Sequence, residues 1–427
     1  MRKILFLKVT AILFLAATCS FAQNKATNII VENLVKIDSN QQVGYTMSMD
    51  LFKNVISNNK ILALGEATHG TKNFVDFRLS IIKKLVGEYG YKAIVTESDF
   101  SSTLAMNDYV VFGRGNLKKS LQDMGYWMWN NPDFLKTIEW LRMYNDSKDI
   151  KDRVHIYGCD MTVPYIIGDI LSGVQALKMP ISAESIAALK LLRTWTTKSI
   201  PKNEELLLNK LGQEISAEIL LYNDTSVLKN SLNTILQVIS FRLIGSGKVQ
   251  SAFRDKSMLD NIKWIYGHEN EGKLIFLAHN LHIAKSPMID GWDNVGTLLS
   301  RTYGPKYYAL GFCFYQGKFR AQDRVSGKSA VFEIEQFDKK SVELTLKEVD
   351  VPNFYLDFSS MKESSLLDEL VSKKLTVRSI GAVFSNSKRD DLATSIDAVL
   401  YKVFDGIVFF EKTYPIAPSF GWNNYKM

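Results

Sequence analysis

The sequence predicts an α/β fold, with a mostly parallel central sheet flanked by helices and a helical insertion. Three observations carry this expectation. Short apolar runs recur at Ile61-Leu62-Ala63-Leu64, Ala93-Ile94-Val95-Thr96, Val154-His155-Ile156-Tyr157 and Leu274-Ile275-Phe276-Leu277, and unbroken apolar character of this length suits parallel strands buried on both faces. A helical spacing separates the first two runs. Residues 165–250 then carry periodic apolar positions with few strand signals, which reads as an inserted helical layer.

Taken in order, the chain opens with Arg2 and Lys3, an apolar stretch from Val9 to Thr18, and Ser20-Phe21-Ala22 before Gln23. Residues 1–22 are therefore expected to be a secretory signal peptide, and residues 23–427 the mature domain, exported to the periplasm or the medium. The stretch is about half the roughly 20 apolar residues that a spanning helix requires, so no stable membrane insertion is expected. Cys19 offers a lipoprotein alternative, which Thr18 and the lack of a leucine three residues earlier weaken. The first strand leads into a helix over 74–89, with Phe74, Phe77, Ile81, Leu85 and Val86 on one face and Gly90 as its stop. Strand, helix and strand make a right-handed βαβ unit. In the insertion the periodic positions include Leu189, Leu192 and Trp195, then Leu206, Leu207, Leu208 and Leu211, and a helix over 251–266 leads to the strand at Leu274. Beyond Gly304, strands are expected over 307–314, 354–358, 377–382 and 407–410, with short helices near 364–372 and 391–404. The polar segment 316–329, with Gly317 and Gly327, reads as a long connection.

Composition excludes several function classes. The net charge of +7 includes Arg2, Lys3 and Lys8 of the leader, and so mild an excess without clustering argues against a nucleic-acid partner. Outside the leader, Cys159 and Cys313 each sit in an apolar run and read as free buried thiols. No disulfide framework and no Cys/His spacing for structural zinc is present.

The ionisable residues at strand ends carry the chemistry. Gly65-Glu66-Ala67-Thr68-His69-Gly70-Thr71 follows the first strand, and groups just beyond the carboxyl ends of parallel strands face the crevice where ligands bind. Thr96-Glu97-Ser98-Asp99 ends the next strand, which the sequence places beside the first, and Arg78 stands on the helix between them. Ala278-His279-Asn280-Leu281-His282 follows the strand at 274. Of five histidines in the chain, three stand at strand ends; His155 reads as a core histidine within a strand and His268 as an exposed one. Two carboxylates, imidazoles and a guanidinium converging in one crevice make an acid/base site, and neutral imidazole also suits a metal.

These segments, with Tyr157-Gly158-Cys159-Asp160-Met161 and Arg254-Asp255, follow one another with the order and spacing of the erythromycin esterase family, which the chain resembles from about residue 60 to 317 and more weakly to 405. The chain departs from the family pattern at Phe100, at Cys159 and in its export signal. The resemblance implies a metal-independent hydrolase with no cofactor, a parallel sheet and a deep cleft, acting on a small-molecule ester or lactone such as a macrolide. It implies His69 as general base for water, with Glu66, Glu97, His279 and His282 completing the catalytic set and Arg78, Arg254 and Asp99 binding substrate.

Ester hydrolysis needs a base for water, a donor for the oxyanion and an acid for the departing alkoxide. His69 oriented by Glu66 or Glu97 fits the first role, and Arg254 or the histidine pair fits the others. No G-x-S-x-G elbow supplies a serine nucleophile. Two alternatives use the same residues: a metal-dependent hydrolase with Glu66, His69, Glu97 and His282 on zinc or manganese, and a non-catalytic secreted protein that binds haem or another ligand.

Overall fold

Leu62 and Leu64 point into one hydrophobic core while Ile61 and Ala63 point into another on the opposite side, as expected of a strand covered on both faces. In the computed structural model, which describes residues 30–40, 44–161, 181–192, 200–223, 226–335, 341–358, 374–387 and 394–421, this strand lies within a ten-stranded sheet. The strands are β1 (Leu34–Lys36), β2 (Ile61–Leu64), β3 (Tyr91–Asp99), β4 (His155–Asp160) and β5 (Lys273–Leu277), followed by β6 (Tyr307–Asp323), β7 (Ser329–Ile334), β8 (Asn353–Asp357), β9 (Val383–Phe384) and β10 (Gly406–Thr413). Their order is β1-β8-β10-β6-β2-β5-β3-β4, and the long β6 also pairs β7 and β9. From β10 to β4 every pair is parallel. Antiparallel strands β1 and β8 complete one side, and β7 returns along β6.

The helices that bear on the site are α1 (Lys72–Tyr89), α2 (Ala183–Leu192), α3 (Lys202–Ile219), α4 (Val227–Ile244), α5 (Lys248–His268) and the short α6 (Asn280–Ile283). α1 buries Phe74, Phe77, Ile81, Leu85 and Val86 and stops at Gly90, whose φ of 73° a side chain would strain. Between β4 and β5 the described residues carry helices only. There α2, α3 and α4 build a core of their own from Leu189, Leu192, Leu208, Leu211 and Ile215 packed against Leu232 and Ile239. The leader 1–22, the helix expected near 364–372 and Trp195 lie outside the described residues.

Three expectations are corrected. β2 and β3 are not neighbours: β5 enters between them and pairs with both, so the crossover through α1 skips a strand position. Such a skip leaves no trace in the local sequence. Residues 316–329 are not a long connection, because β6 continues to Asp323 and turns back into β7. Phe319 and Ala321 point inward while Lys318 is exposed, an alternation of period two that polar composition masked. Phe319 packs on Phe332 and Phe384. Finally, in place of a helix over 391–404 a strand, Ser395–Ala398, pairs with Leu375–Arg378, and among the described residues of that span only Leu400–Val403 is helical.

Candidate active site

Four adjacent strands deliver the ionisable groups to one edge of the sheet. β2 ends at Leu64 and yields Glu66 and His69, β5 ends at Leu277 and yields His279 and His282, Glu97 lies near the end of β3, and Asp160 closes β4. The turn after β2 depends on two glycines. A Cβ on Gly65 would lie 2.1 Å from Oδ1 of Asn280, and one on Gly70 would lie 1.8 Å from the backbone oxygen of Arg320. Asn280 is the counterpart in the turn after β5: its amide donates to the Phe312 carbonyl (2.7 Å) and accepts from the Phe312 N–H (3.1 Å), while its own N–H donates to the Glu66 carbonyl (2.9 Å). One residue, through its side chain and its backbone N–H, thus ties both histidine-bearing turns to β6.

Glu66 and His69 form a buried dyad. Nδ1 of His69 lies 2.7 Å from Oε1 of Glu66, and Nη1 of Arg78 donates to Oε2 at 2.6 Å. Arg78 is only 3% exposed and gives Nη2 to the carbonyls of Leu64 and Ala278, both at 2.8 Å. Burial opposes ionisation of Glu66, but Arg78 and then His69 outweigh it and hold the carboxyl below its ordinary range. An ionised carboxylate only accepts, so Nδ1 of His69 is the donor, and in the neutral imidazole this leaves the lone pair on Nε2. His69 is 8% exposed.

Glu97 organises the other half. Its Oε2 accepts the backbone N–H of His279 at 2.9 Å, and its Oε1 accepts Nη2 of Arg254 at 3.0 Å and lies 3.3 Å from Nε2 of His282. Burial would raise its pKa, but His282, Arg254 and His69 outweigh it and keep the carboxyl well below the usual carboxylate range. Arg254, with its side chain 22% exposed the most open member, grips Asp160 through Nε and Nη2, the latter at 2.6 Å. Nδ1 of His282 lies 2.7 Å from Oδ1 of Asp255. Burial works to strip the proton from His282, yet Asp255 and Glu97 push its pKa up.

His279 stands apart from the other two histidines. Its ring centroid lies 5.0 Å from that of His69, but Nε2 donates to the Ile380 carbonyl at 3.0 Å and Nδ1 accepts the Leu281 N–H at 3.3 Å. Burial, with His69 alongside, pulls its pKa down to about 4. It is a neutral ring with both nitrogens committed to backbone.

The structure therefore brings together Glu66, His69, Arg78, Glu97, Arg254, His279 and His282. Asp99 is placed differently: it is buried at the end of β3, where Oδ1 accepts the Ser102 N–H at 2.8 Å and caps the turn that follows. Burial, with Asp160 nearby, raises its pKa to about 7. His155 is half-buried against Glu269 (2.8 Å), and His268 stacks on Trp264. Asp160 and Asp255, both fully buried, are site members that the sequence reading quoted without assigning a role. The signal was available, since Asp160 ends an apolar strand as Glu66 and Glu97 do and Asp255 adjoins Arg254.

Among the described residues no three or more His, Cys, Asp or Glu side chains are grouped to hold one metal ion. The oxygens of Glu66 and Glu97 instead face guanidinium, imidazole or backbone N–H. A concavity of about 530 Å³ lies away from the cluster, between residues 286–290 and 395–399. None of the residues above lines it. No helix among the described residues is long and apolar enough to cross a membrane.

Comparisons with known proteins agree with this architecture. Erythromycin esterase type II of Escherichia coli is 24% identical over 411 residues, covering 84% of this chain and 91% of its own. A solved structure described as a succinoglycan biosynthesis protein superposes with a TM-score of 0.77 at 22% identity, over 92% of this chain and 98% of its own. A mutant of the erythromycin esterase EreC in its open conformation gives a TM-score of 0.63 at 14% identity, over 87% of this chain and 96% of its own. At such identities the two structures establish the shared fold. The model of the family described as erythromycin esterase matches residues 86–413, beginning beyond Glu66 and His69, which the fold brings to the same edge. Across most of its length, then, the chain belongs to the erythromycin esterase family.

Proposed function

We propose that this protein is a hydrolase that cleaves an ester or lactone bond of a small molecule with a water activated by His69. The observation that carries the reading is the Arg78–Glu66–His69 chain, which holds the imidazole by Nδ1 on Glu66 and leaves Nε2 without a hydrogen-bond partner among the described residues. A base so oriented contributes about 10² to 10⁴ in rate. Nε2 takes a proton from water, the hydroxide adds to the carbonyl carbon, and the oxyanion is met by donors from the Arg254 side. Each well-aimed donor of that kind contributes roughly 3 kcal/mol. Collapse of the tetrahedral species releases an alkoxide that needs a proton, for which the Glu97–His282–Arg254 group is the source.

The reading is metal-independent, because both oxygens of Glu66 and both of Glu97 already have cationic or N–H partners within the chain. It includes export, with maturation at Gln23, which N-terminal mass spectrometry of the native protein tests. Macrolides are one substrate class within it, as the name of the Escherichia coli relative suggests. The deciding experiment is a panel of esters and lactones, macrolides among them, offered to the purified protein with and without EDTA. Hydrolysis that EDTA leaves unchanged is the expected result. Hydrolysis lost on chelation, with stoichiometric zinc or manganese in the protein, would reassign the histidines as ligands.

A further inference from the structure

Asp255 is wholly buried and belongs to no role assigned so far. Three N–H groups converge on its carboxylate. Oδ1 lies 2.7 Å from Nδ1 of His282 and accepts the backbone N–H of Val295 at 2.8 Å, while Oδ2 accepts Nε1 of Trp292 at 2.7 Å. Indole and backbone nitrogens only donate, and an ionised carboxylate only accepts. Nδ1 of His282 is thereby a donor, and its proton is fixed. The other ring nitrogen, Nε2, has two partners of opposite character: Oε1 of Glu97 at 3.3 Å, which only accepts, and Nη1 of Arg254 at 3.2 Å, which only donates. A bare Nε2 accepts from Arg254, and a protonated Nε2 has the Glu97 carboxylate beside it to balance its charge. The contact with Arg254 has hydrogen-bond geometry and the one with Glu97 is an ion-pair approach, so each state of this atom has a partner of matching character beside it.

We propose that Asp255 is the positioning residue of the site, holding His282 in the Nδ1–H form so that Nε2 is the atom that delivers the proton to the leaving group. The inference rests on the hydrolase reading above and deepens it. In the step it describes, the Nε2–H bond of His282 breaks as the C–O bond of the tetrahedral species breaks, the alkoxide oxygen gains that proton, and the freed lone pair accepts Arg254. The proton that His69 took from water returns to His282 through solvent, and the cycle closes. The groups that face His282 are Asp255 and Arg254 from α5, Glu97 from β3 and His279 from its own turn. Of these, only Asp255 contacts Nδ1.

An asparagine at this position breaks the donor count. With its oxygen toward His282 and Val295 its amide meets the Trp292 N–H, and with the oxygen toward Trp292 its amide meets Val295 and His282. Either way two donors oppose each other. The test is nitrogen NMR of the full chain labelled at histidine, alongside kinetics on whichever ester the panel identifies. In the wild type the His282 proton is expected on Nδ1. Asp255→Asn is expected to divide His282 between two tautomers and to lower kcat at least tenfold with KM within a few-fold, an effect within the usual worth of acid catalysis. Adding Trp292→Phe removes the opposing donor, so the double variant is expected to recover the Nδ1–H signal and part of kcat, which a loss of packing alone would not do. A wild-type spectrum with Nδ1 bare overturns the proposal without any variant, and so does an Asp255→Asn protein with wild-type tautomer and turnover. If the wild type hydrolyses no ester while His282 carries its proton on Nδ1, the hydrolase reading fails and the positioning role of Asp255 stands.

Discussion

His69 and His279 show how little residue type alone decides. Their rings lie side by side, yet one has a carboxylate behind Nδ1 and an uncommitted Nε2, while the other is bound to backbone at both nitrogens. What separates them is Arg78, which holds Glu66 ionised and in place. Removing one partner of a buried ion pair leaves the other charge uncompensated and costs about 3–5 kcal/mol. Arg78→Ala is therefore expected to lower unfolding stability by about that amount, read by denaturant titration, and to lower kcat because Glu66 no longer orients His69. Stability within 1 kcal/mol of wild type would show that the pair is incidental. From the sequence, the strand-end placement of Glu66, His69, Glu97 and the histidine pair was legible, because apolar runs that stop at a charge mark the sheet edge. The division of labour among them was not. It depends on Ile380 and Asp255, which are distant in the chain from the histidines they contact.

The turns after the strands set this geometry through backbone hydrogen bonds made at close approach, the Gly70 carbonyl accepting the Arg320 N–H at 2.9 Å. Gly70 lies against the backbone of Arg320, with no flexible side-chain end there to give way. Gly70→Ala must push β6 from the β2 turn, and overpacking of this kind typically costs about 1–3 kcal/mol. A lower melting temperature together with lost activity is the expected outcome; an unchanged melting temperature would mean that the turn is not held against β6. The turn after β3 makes a different prediction. The folded state keeps the proton of Asp99 up to about pH 7, whereas the unfolded chain releases it near the ordinary 3.8. A carboxyl whose pKa is raised by folding contributes stability that is lost as pH rises through this window. Asp99→Asn cannot ionise and keeps an oxygen for the Ser102 N–H. Relative to wild type it is expected to be neutral near pH 4 and stabilising at pH 8, as calorimetry at the two values would show; a gain equal at both would remove Asp99 as the titrating group. At this level the βαβ unit was readable in the spacing of Phe74, Phe77 and Ile81. The entry of β5 between β2 and β3 was not, because strand order is settled by packing across the whole sheet.

Taken as one object, the molecule places a nearly closed charged cluster at the carboxyl edge of a parallel sheet, with helices of separate core packed beyond β4. Each of the four carboxylates there, Glu66, Glu97, Asp160 and Asp255, has a guanidinium or imidazole partner. Buried charge is costly unless paired in this way, and within the cluster Nε2 of His69 has no hydrogen-bond partner among the described residues. The most direct measurement is the turnover of His69→Ala beside His155→Ala, on the same ester or lactone, with folding of each variant checked by circular dichroism. The predicted result is a fall in kcat of roughly 10² or more for His69→Ala, in line with general-base catalysis, and a change of no more than a few-fold for His155→Ala. A folded His69→Ala protein that turns over as fast as wild type would contradict the assignment of His69 as the base.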